Sequence, residues 1–208
     1  MNFNLVPNKL FLTKGVGKYK EREISYHLAL RKAGIERYNL NKISSIFPPN
    51  CEVISKEKGL ESLVDGEIVF SVISMEQTNE PNRHIFSSIG VAIPKDRNQY
   101  GYISKYFGYG KTDEQAGDYA EDLAATMLAT RLGFEINLDK AWNQRKKEYK
   151  LSGNVYKSMN ITQSASGDKY GLWTTVISAA ILLVDFEYYL KRAVKYAIRR
   201  GNYKLITR

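Results

Sequence analysis

The sequence predicts one domain that mixes helices with largely antiparallel strands, either α+β or layered α/β. Three observations predict it. A length of 208 residues suits a single domain with a sizeable core. Val- and Ile-rich runs at 67–75 and 85–93 alternate as strands do. A helical stretch separates the early strands, and two more precede a late one. No internal repeat, low-complexity segment or Pro/Ser-rich linker divides the chain.

In order, residues 4–13 read as a strand, followed by a Gly15-Val16-Gly17 loop. Residues 21–33 read as a helix with Glu21 and Glu23 in its first turn, Ile24, Leu28 and Ala29 toward the core, and Gly34 as the stop. Residues 38–46 read as a short strand, ended by Phe47-Pro48-Pro49 because proline has no amide hydrogen for a ladder. After the strands at 67–75 and 85–93 comes another at 100–106. The longest helix is predicted over 114–132, with Ala116, Tyr119, Ala120, Leu123 and Met127 at helical spacing and Gly133 as terminator. Asp139 can cap a further helix through 151 with Trp142 on its buried side, and a late strand follows at 172–183.

Composition excludes several classes of function. The apolar and charged fractions, 43% and 25%, are those of an ordinary globular protein, so disorder is not expected. Cys51 is the only cysteine, which rules out an intramolecular disulfide and a cysteine-based zinc site. His27 and His84 are too few for a histidine-rich metal centre, and no metal is expected. Residues 1–14 have no signal-peptide pattern, and the apolar run at 176–184 is far short of the ~20 residues a bilayer needs, so a cytoplasmic protein is expected. The net charge of +9 resembles a nucleic-acid signal until it is located. Lys191, Arg192, Lys195, Arg199, Arg200, Lys204 and Arg208 lie in the last 18 residues, where there is no acid.

The stretch that most suggests chemistry is Ile43-Ser44-Ser45-Ile46-Phe47-Pro48-Pro49. A serine hydroxyl can attack the preceding carbonyl when the backbone is held strained beside an oxyanion donor. β-Elimination of the ester and hydrolysis of the dehydroalanine then leave a pyruvoyl group at a new N-terminus. Asn39 lies six residues upstream of Ser45, and its amide is a candidate oxyanion donor, although Asn beside a strand more often serves a turn.

Those segments, with Thr78-Asn79-Glu80-Pro81-Asn82-Arg83, Ile89-Gly90-Val91-Ala92-Ile93-Pro94-Lys95-Asp96, Gln99-Tyr100-Gly101-Tyr102, the 117–130 helix and Gly171-Leu172-Trp173-Thr174-Thr175-Val176, resemble pyruvoyl-dependent arginine decarboxylases in the family's order over roughly residues 3–184. The resemblance implies a four-layer αββα sandwich over residues 1–184, with 185–208 as a basic C-terminal extension. It implies self-cleavage between Ser44 and Ser45, a pyruvoyl cofactor derived from Ser45, and Asn39 and Ser44 as polar contacts around it. It further implies arginine as substrate, agmatine and carbon dioxide as products, and a Schiff base between the pyruvoyl carbonyl and the substrate amine as the electron sink. Assembly would be a homo-oligomer, a trimer or a pair of trimers, with active sites between subunits.

Two positions depart from the family pattern. Lys105 stands where the family sets an acidic proton donor, and His27 where it sets the acid that pairs with the guanidinium; Ile46 is the other residue expected beside the substrate. Either a nearby acid such as Glu80, Asp113 or Glu114 substitutes, or Lys105 itself donates the proton. Other readings are a substrate with an acidic side chain, or a non-catalytic paralogue acting in assembly or regulation. Read without the resemblance, Lys105 is a solvated lysine near a strand end and His27 a helix-surface residue.

Two weaker patterns remain. Gly15-Val16-Gly17 between Lys14 and Lys18 lacks the spacing of a phosphate loop and reads as a turn, and Asn160-Ile161-Thr162 is a glycosylation sequon with no role in the cytoplasm. In the extension, Phe186, Leu190, Ala193, Val194 and Ala197 recur at helical spacing opposite Lys191, Arg192, Lys195 and Arg199, and Gly201 would end that helix. Packing on its own or a neighbouring subunit is expected for it, rather than contact with nucleic acid or membrane.

Overall fold

The computed structural model describes residues 5–133 and 155–184. Its elements run β1 (Lys9–Tyr19), α1 (Arg22–Ala33), β2 (Asn39–Lys42), β3 (Ile46–Phe47), β4 (Glu52–Val53), α2 (Lys56–Glu61), β5 (Ile68–Thr78), β6 (His84–Pro94), β7 (Gly101–Tyr109), α3 (Asp113–Arg131), β8 (Val155–Ser166) and β9 (Trp173–Leu183). They form one sheet in the order β2-β5-β9-β1-β4 and another in the order β3-β7-β6-β8. Helix α1 packs on β1 and β9 of the first, and α3 on β6, β7 and β8 of the second. The layers are therefore helix, sheet, sheet, helix, the αββα sandwich that the resemblance implies.

Alternation along the strands distributes side chains among three apolar layers. Phe11, Ile177, Ala179 and Ile181 face α1 together with Ala29, Leu30 and Ala33. Leu10, Ala180 and Leu182 point the other way, toward Phe47, Ile89, Val91, Ile93 and Ile103 between the sheets. Ala92, Ala124, Ala125, Leu128 and Ala129 fill the layer under α3.

Glycines set the helix–sheet spacing. A Cβ at Gly15 would lie 2.1 Å from the Ala29 carbonyl oxygen, one at Gly17 2.1 Å from that of Ser25, and one at Gly90 2.0 Å from that of Ala120. Each helix backbone thus lies almost directly on a strand. The Gly15-Val16-Gly17 segment is consequently the middle of β1, which pairs with β9 from Lys9↔Leu183 to Tyr19↔Trp173, and not a loop. Close seating also explains which helix faces are buried. On α1 they are Ser25, Ala29, Leu30 and Ala33, while Ile24 is 40% exposed. On α3 they are chiefly Ala116, Gly117, Ala120, Ala124, Ala125, Leu128 and Ala129, while Tyr119 and Met127 are exposed. Small residues displace the larger ones expected there because a helix this close leaves them no room.

The stop of α1 agrees with the sequence, and the N-cap of α3 is a residue that was not expected to serve as one. Gly34 ends α1 at φ 81°, and Thr112 with Gln115 forms a reciprocal capping box at the start of α3. The stretch expected as one strand over 38–46 is divided: β2 pairs in parallel with β5, whereas β3 pairs antiparallel with β7 in the other sheet. Strand β8 was not expected, since Lys157, Ser158, Asn160, Thr162 and Gln163 make its sequence too polar to stand out. The helix expected from Asp139 with Trp142, and the one over 186–200, lie outside the described residues.

Candidate active site

The Ser44–Ser45 bond is where the chain passes from one sheet to the other. The Ile43 amide donates to the Ser71 carbonyl at 2.9 Å, continuing β2 along β5. Two residues later the Ser45 carbonyl accepts from the Ile103 amide at 2.8 Å, which starts the pairing of β3 with β7. Ser44 is exposed, Ser45 half-buried and Ile46 exposed.

Beyond the crossing the chain is firmly held. Ile46 and Phe47 pair with Tyr102 and Gly101, and Phe47 is almost completely buried between the sheets. Burying a phenylalanine contributes about 1.5–3 kcal/mol. The Pro48-Pro49-Asn50 corner closes with the Cys51 amide donating to the Pro48 carbonyl at 3.3 Å and the Asn50 amide to the Arg97 carbonyl at 2.7 Å. The Arg97 guanidinium returns to the Cys51 carbonyl. Asn50 adopts φ 57°, a left-handed conformation that asparagine tolerates better than most side chains.

The predicted site residues divide into two groups. Lys105 stands on β7 two residues beyond Ile103, ~7 Å along the strand and on the same face, and it is exposed. Ser44, Ser45, Ile46 and Lys105 thus share one edge of the sandwich. Asn39 begins β2, where its side-chain amide donates to the Gly66 carbonyl at 2.7 Å and its backbone amide to that of Glu67 at 2.8 Å. His27 is exposed on α1, in the outer layer, with its ring 6.0 Å from that of Tyr26. A single chain leaves the whole first sheet between α1 and the sheet that carries Ser45.

Two of the charges near His27 pair with each other. Arg31 donates to Glu36 at 2.6 and 2.7 Å, and this hydrogen bonding holds the Glu36 carboxyl below its usual range, with a smaller pull from His27. Of the acids considered in place of Lys105, Glu80 pairs with Arg83 at 2.5 Å, and Asp113 and Glu114 lie in the first turn of α3. The carboxylate on the inter-sheet face of β5 is instead Glu76, half-buried, accepting from the Gln77 amide at 2.9 Å and the Tyr109 hydroxyl at 3.4 Å. The alternation Phe70, Val72, Ser74, Glu76 was the signal that could have located it.

Among the described residues no group of three or more His, Cys, Asp or Glu could hold a metal ion. No helix there is long and apolar enough to cross a membrane. Gly15 and Gly17 are occupied as helix seats, and Asn160 is bonded to Glu121 at 3.0 Å.

Comparison with known proteins adds to this geometry. Residues 9–187 match the family model described as pyruvoyl-dependent arginine decarboxylase. A probable pyruvoyl-dependent arginine decarboxylase of Chloroherpeton thalassium is 60% identical over 178 residues, 86% of this chain and 98% of that protein. The pyruvoyl-dependent arginine decarboxylase of Nitrosopumilus maritimus is 51% identical over 181 residues, 87% of this chain and 99% of that protein. Pyruvoyl-dependent arginine decarboxylase 2 of Methanosarcina acetivorans is 50% identical over 181 residues, with the same coverage of 87% and 99%.

Proposed function

The chain belongs to the pyruvoyl-dependent arginine decarboxylase family, and on that premise we propose how its residues convert arginine to agmatine and carbon dioxide. The protein first cuts itself. The Ser45 hydroxyl attacks the Ser44 carbonyl carbon; its proton passes to the Ser45 nitrogen as the C–N bond breaks, and an ester remains. Loss of the Ser45 α-proton and of the Ser44 carboxylate from Cβ gives dehydroalanine. Its imine form takes up water and releases ammonia, so residue 45 ends as a pyruvoyl group without any oxidant.

One observation carries this reading: the Ser44–Ser45 bond is the exposed crossing between two sheets, with residue 45 fixed on β7. A serine held by its carbonyl, half-buried beside an accessible partner, fits the pyruvoyl group. That group supplies an electrophile for the substrate amine and a sink for electrons.

Around it, Ser44 and Asn39 are assigned the polar contacts of cleavage, for which the Asn39 amide must leave Gly66. Ile46 lines the substrate, and Lys105 holds the proton that takes the place of carbon dioxide on the substrate's α-carbon. His27 is assigned to the far end of the substrate. Its position on the outer helix supports a site shared between chains, in a trimer or pair of trimers. Residues 185–208 are read as an extension outside the catalytic domain of residues 1–184, and the free thiol of Cys51 suits the cytoplasm.

The test is the mass of the denatured protein beside a Ser45→Ala control. Cleavage divides 23.8 kDa into about 5 and about 19 kDa, in proportion to 44 and 164 residues of 208, and the control stays whole. The pair of masses justifies assaying carbon dioxide release from arginine. A single full-length mass favours the second reading, a non-catalytic assembly subunit, for which Lys105 and His27 in place of acids already speak.

A further inference from the structure

We infer that the backbone amide of Ile103 is part of the catalytic group, because it binds the one carbonyl of residue 45 that survives maturation unchanged. This rests on the cleavage at Ser44–Ser45 proposed above. In that sequence the nitrogen, Cα, Cβ and Oγ of Ser45 all change partners. Its carbonyl carbon and oxygen, and the peptide bond to Ile46, do not. The hydrogen bond from Ile103, 2.8 Å long in the continuous chain, is therefore inherited by the carbonyl beside the new ketone.

That oxygen is conjugated with the ketone carbon. Once the substrate amine had replaced the ketone oxygen, electron density reaching that carbon as carbon dioxide leaves would spread onto the amide oxygen, and a donor already aimed there would strengthen as charge develops. The donor is distinct from the one that cleavage needs, since the oxyanion of cleavage forms on the Ser44 carbonyl. It is also rigid. Ile103 lies in a strand paired with β6 from Ile85↔Tyr109 to Ala92↔Tyr102, and the acceptor is tethered by buried Phe47 and the Pro48–Cys51 corner.

The experiment replaces the Ile103 amide with an ester, using the hydroxy-acid analogue of isoleucine, and compares an ester at Ser104, whose amide the strand's alternation directs toward β6. Growth on [2-13C]serine gives a single keto resonance, because only residue 45 turns a serine α-carbon into a carbonyl. The Ile103 ester should shift that resonance and slow capture of the keto group by phenylhydrazine. It should also lower kcat about 100-fold with little change in KM, as loss of one preorganised donor does. The Ser104 ester should leave all of these near those of the unmodified protein.

An unchanged resonance and capture rate in the Ile103 ester overturn the inference. The unmodified mature protein gives an independent answer if the ester chain does not mature. With 15N-isoleucine labelling, the Ile103 amide should stay protected from hydrogen exchange after cleavage, and free exchange there overturns the inference too. No keto resonance in the unmodified protein shows that chain uncut, and sinks the cleavage reading on which the inference rests.

Discussion

The Ser178 hydroxyl donates to the Ser87 carbonyl at 2.8 Å, joining β9 of one sheet to β6 of the other. The Ser87 hydroxyl donates in turn to the Ser74 carbonyl at 2.8 Å, and that of Ser74 to the Tyr106 carbonyl at 3.0 Å. This seam of buried hydroxyls binds the sheets where the apolar layer around Phe47 and Ile103 gives out. Ser178→Ala is expected to destabilise the protein by about 0.5–1.5 kcal/mol, the net worth of one hydrogen bond, because Ser87 remains paired within its own sheet. Urea unfolding of an uncut Ser45→Ala background measures it free of any effect of cleavage.

Two glycines, one in β6 and one in the turn before β5, separate contact from conformation. Gly90→Ala puts a methyl 2.0 Å from the Ala120 carbonyl oxygen, and should cost about 3 kcal/mol or prevent folding. Gly66→Ala meets nothing within 4 Å but must hold φ +84°, so about 1 kcal/mol is expected. Equal losses in thermal unfolding would refute the seating of α3 on Gly90.

Burial pushes the Cys51 thiol up to about 12, against a small opposing pull from Arg97 and a further small rise from Glu52. The folded protein therefore keeps this proton where the unfolded chain, near 9.0, loses it. Its contribution to stability is complete below pH 9 and is lost as pH rises toward 12. Iodoacetamide at pH 8 should label Cys51 only after denaturation, and Cys51→Ala should flatten the alkaline fall in stability.

Lys105→Met tests the proton-donor assignment. Self-cleavage should stay complete by mass, since Lys105 takes no part in it, while carbon dioxide release falls by about 10²–10⁴-fold. Full activity in this variant would move the role to another group, and Glu76 would be the first to substitute.

Much of the fold was legible because its signals are local. The apolar runs of β5 and β6, the late strand β9 and the Gly34 stop each arise from a few neighbouring residues. Sheet membership is not local. Residues 38–46 read as one strand because no side chain announces that Ile43 bonds to Ser71 and Ser45 to Ile103. Gly15 and Gly17 misled for a similar reason: a glycine freed from Cβ for a turn and one freed for an approaching helix look alike. At the proposed site, Ser44, Ser45, Ile46 and Lys105 were singled out through motif resemblance. The distance in layers between His27 and Ser45 needed the topology.

Strand β1 has a consequence for the protein's history. It lies between β9 and β4, so the proposed cut at Ser44 would leave the smaller piece with a central strand whose neighbours both belong to the larger. Before the cut, assembly of this sheet is an event within one molecule, independent of concentration. Afterwards the same event requires two molecules to meet, and residues 1–44 alone carry no sheet on which β1 could settle. Folding must therefore be finished before the bond is broken, and a matured protein that unfolds at cellular dilution does not readily return. Its lifetime is set by how slowly it comes apart, not by how favourably it once went together.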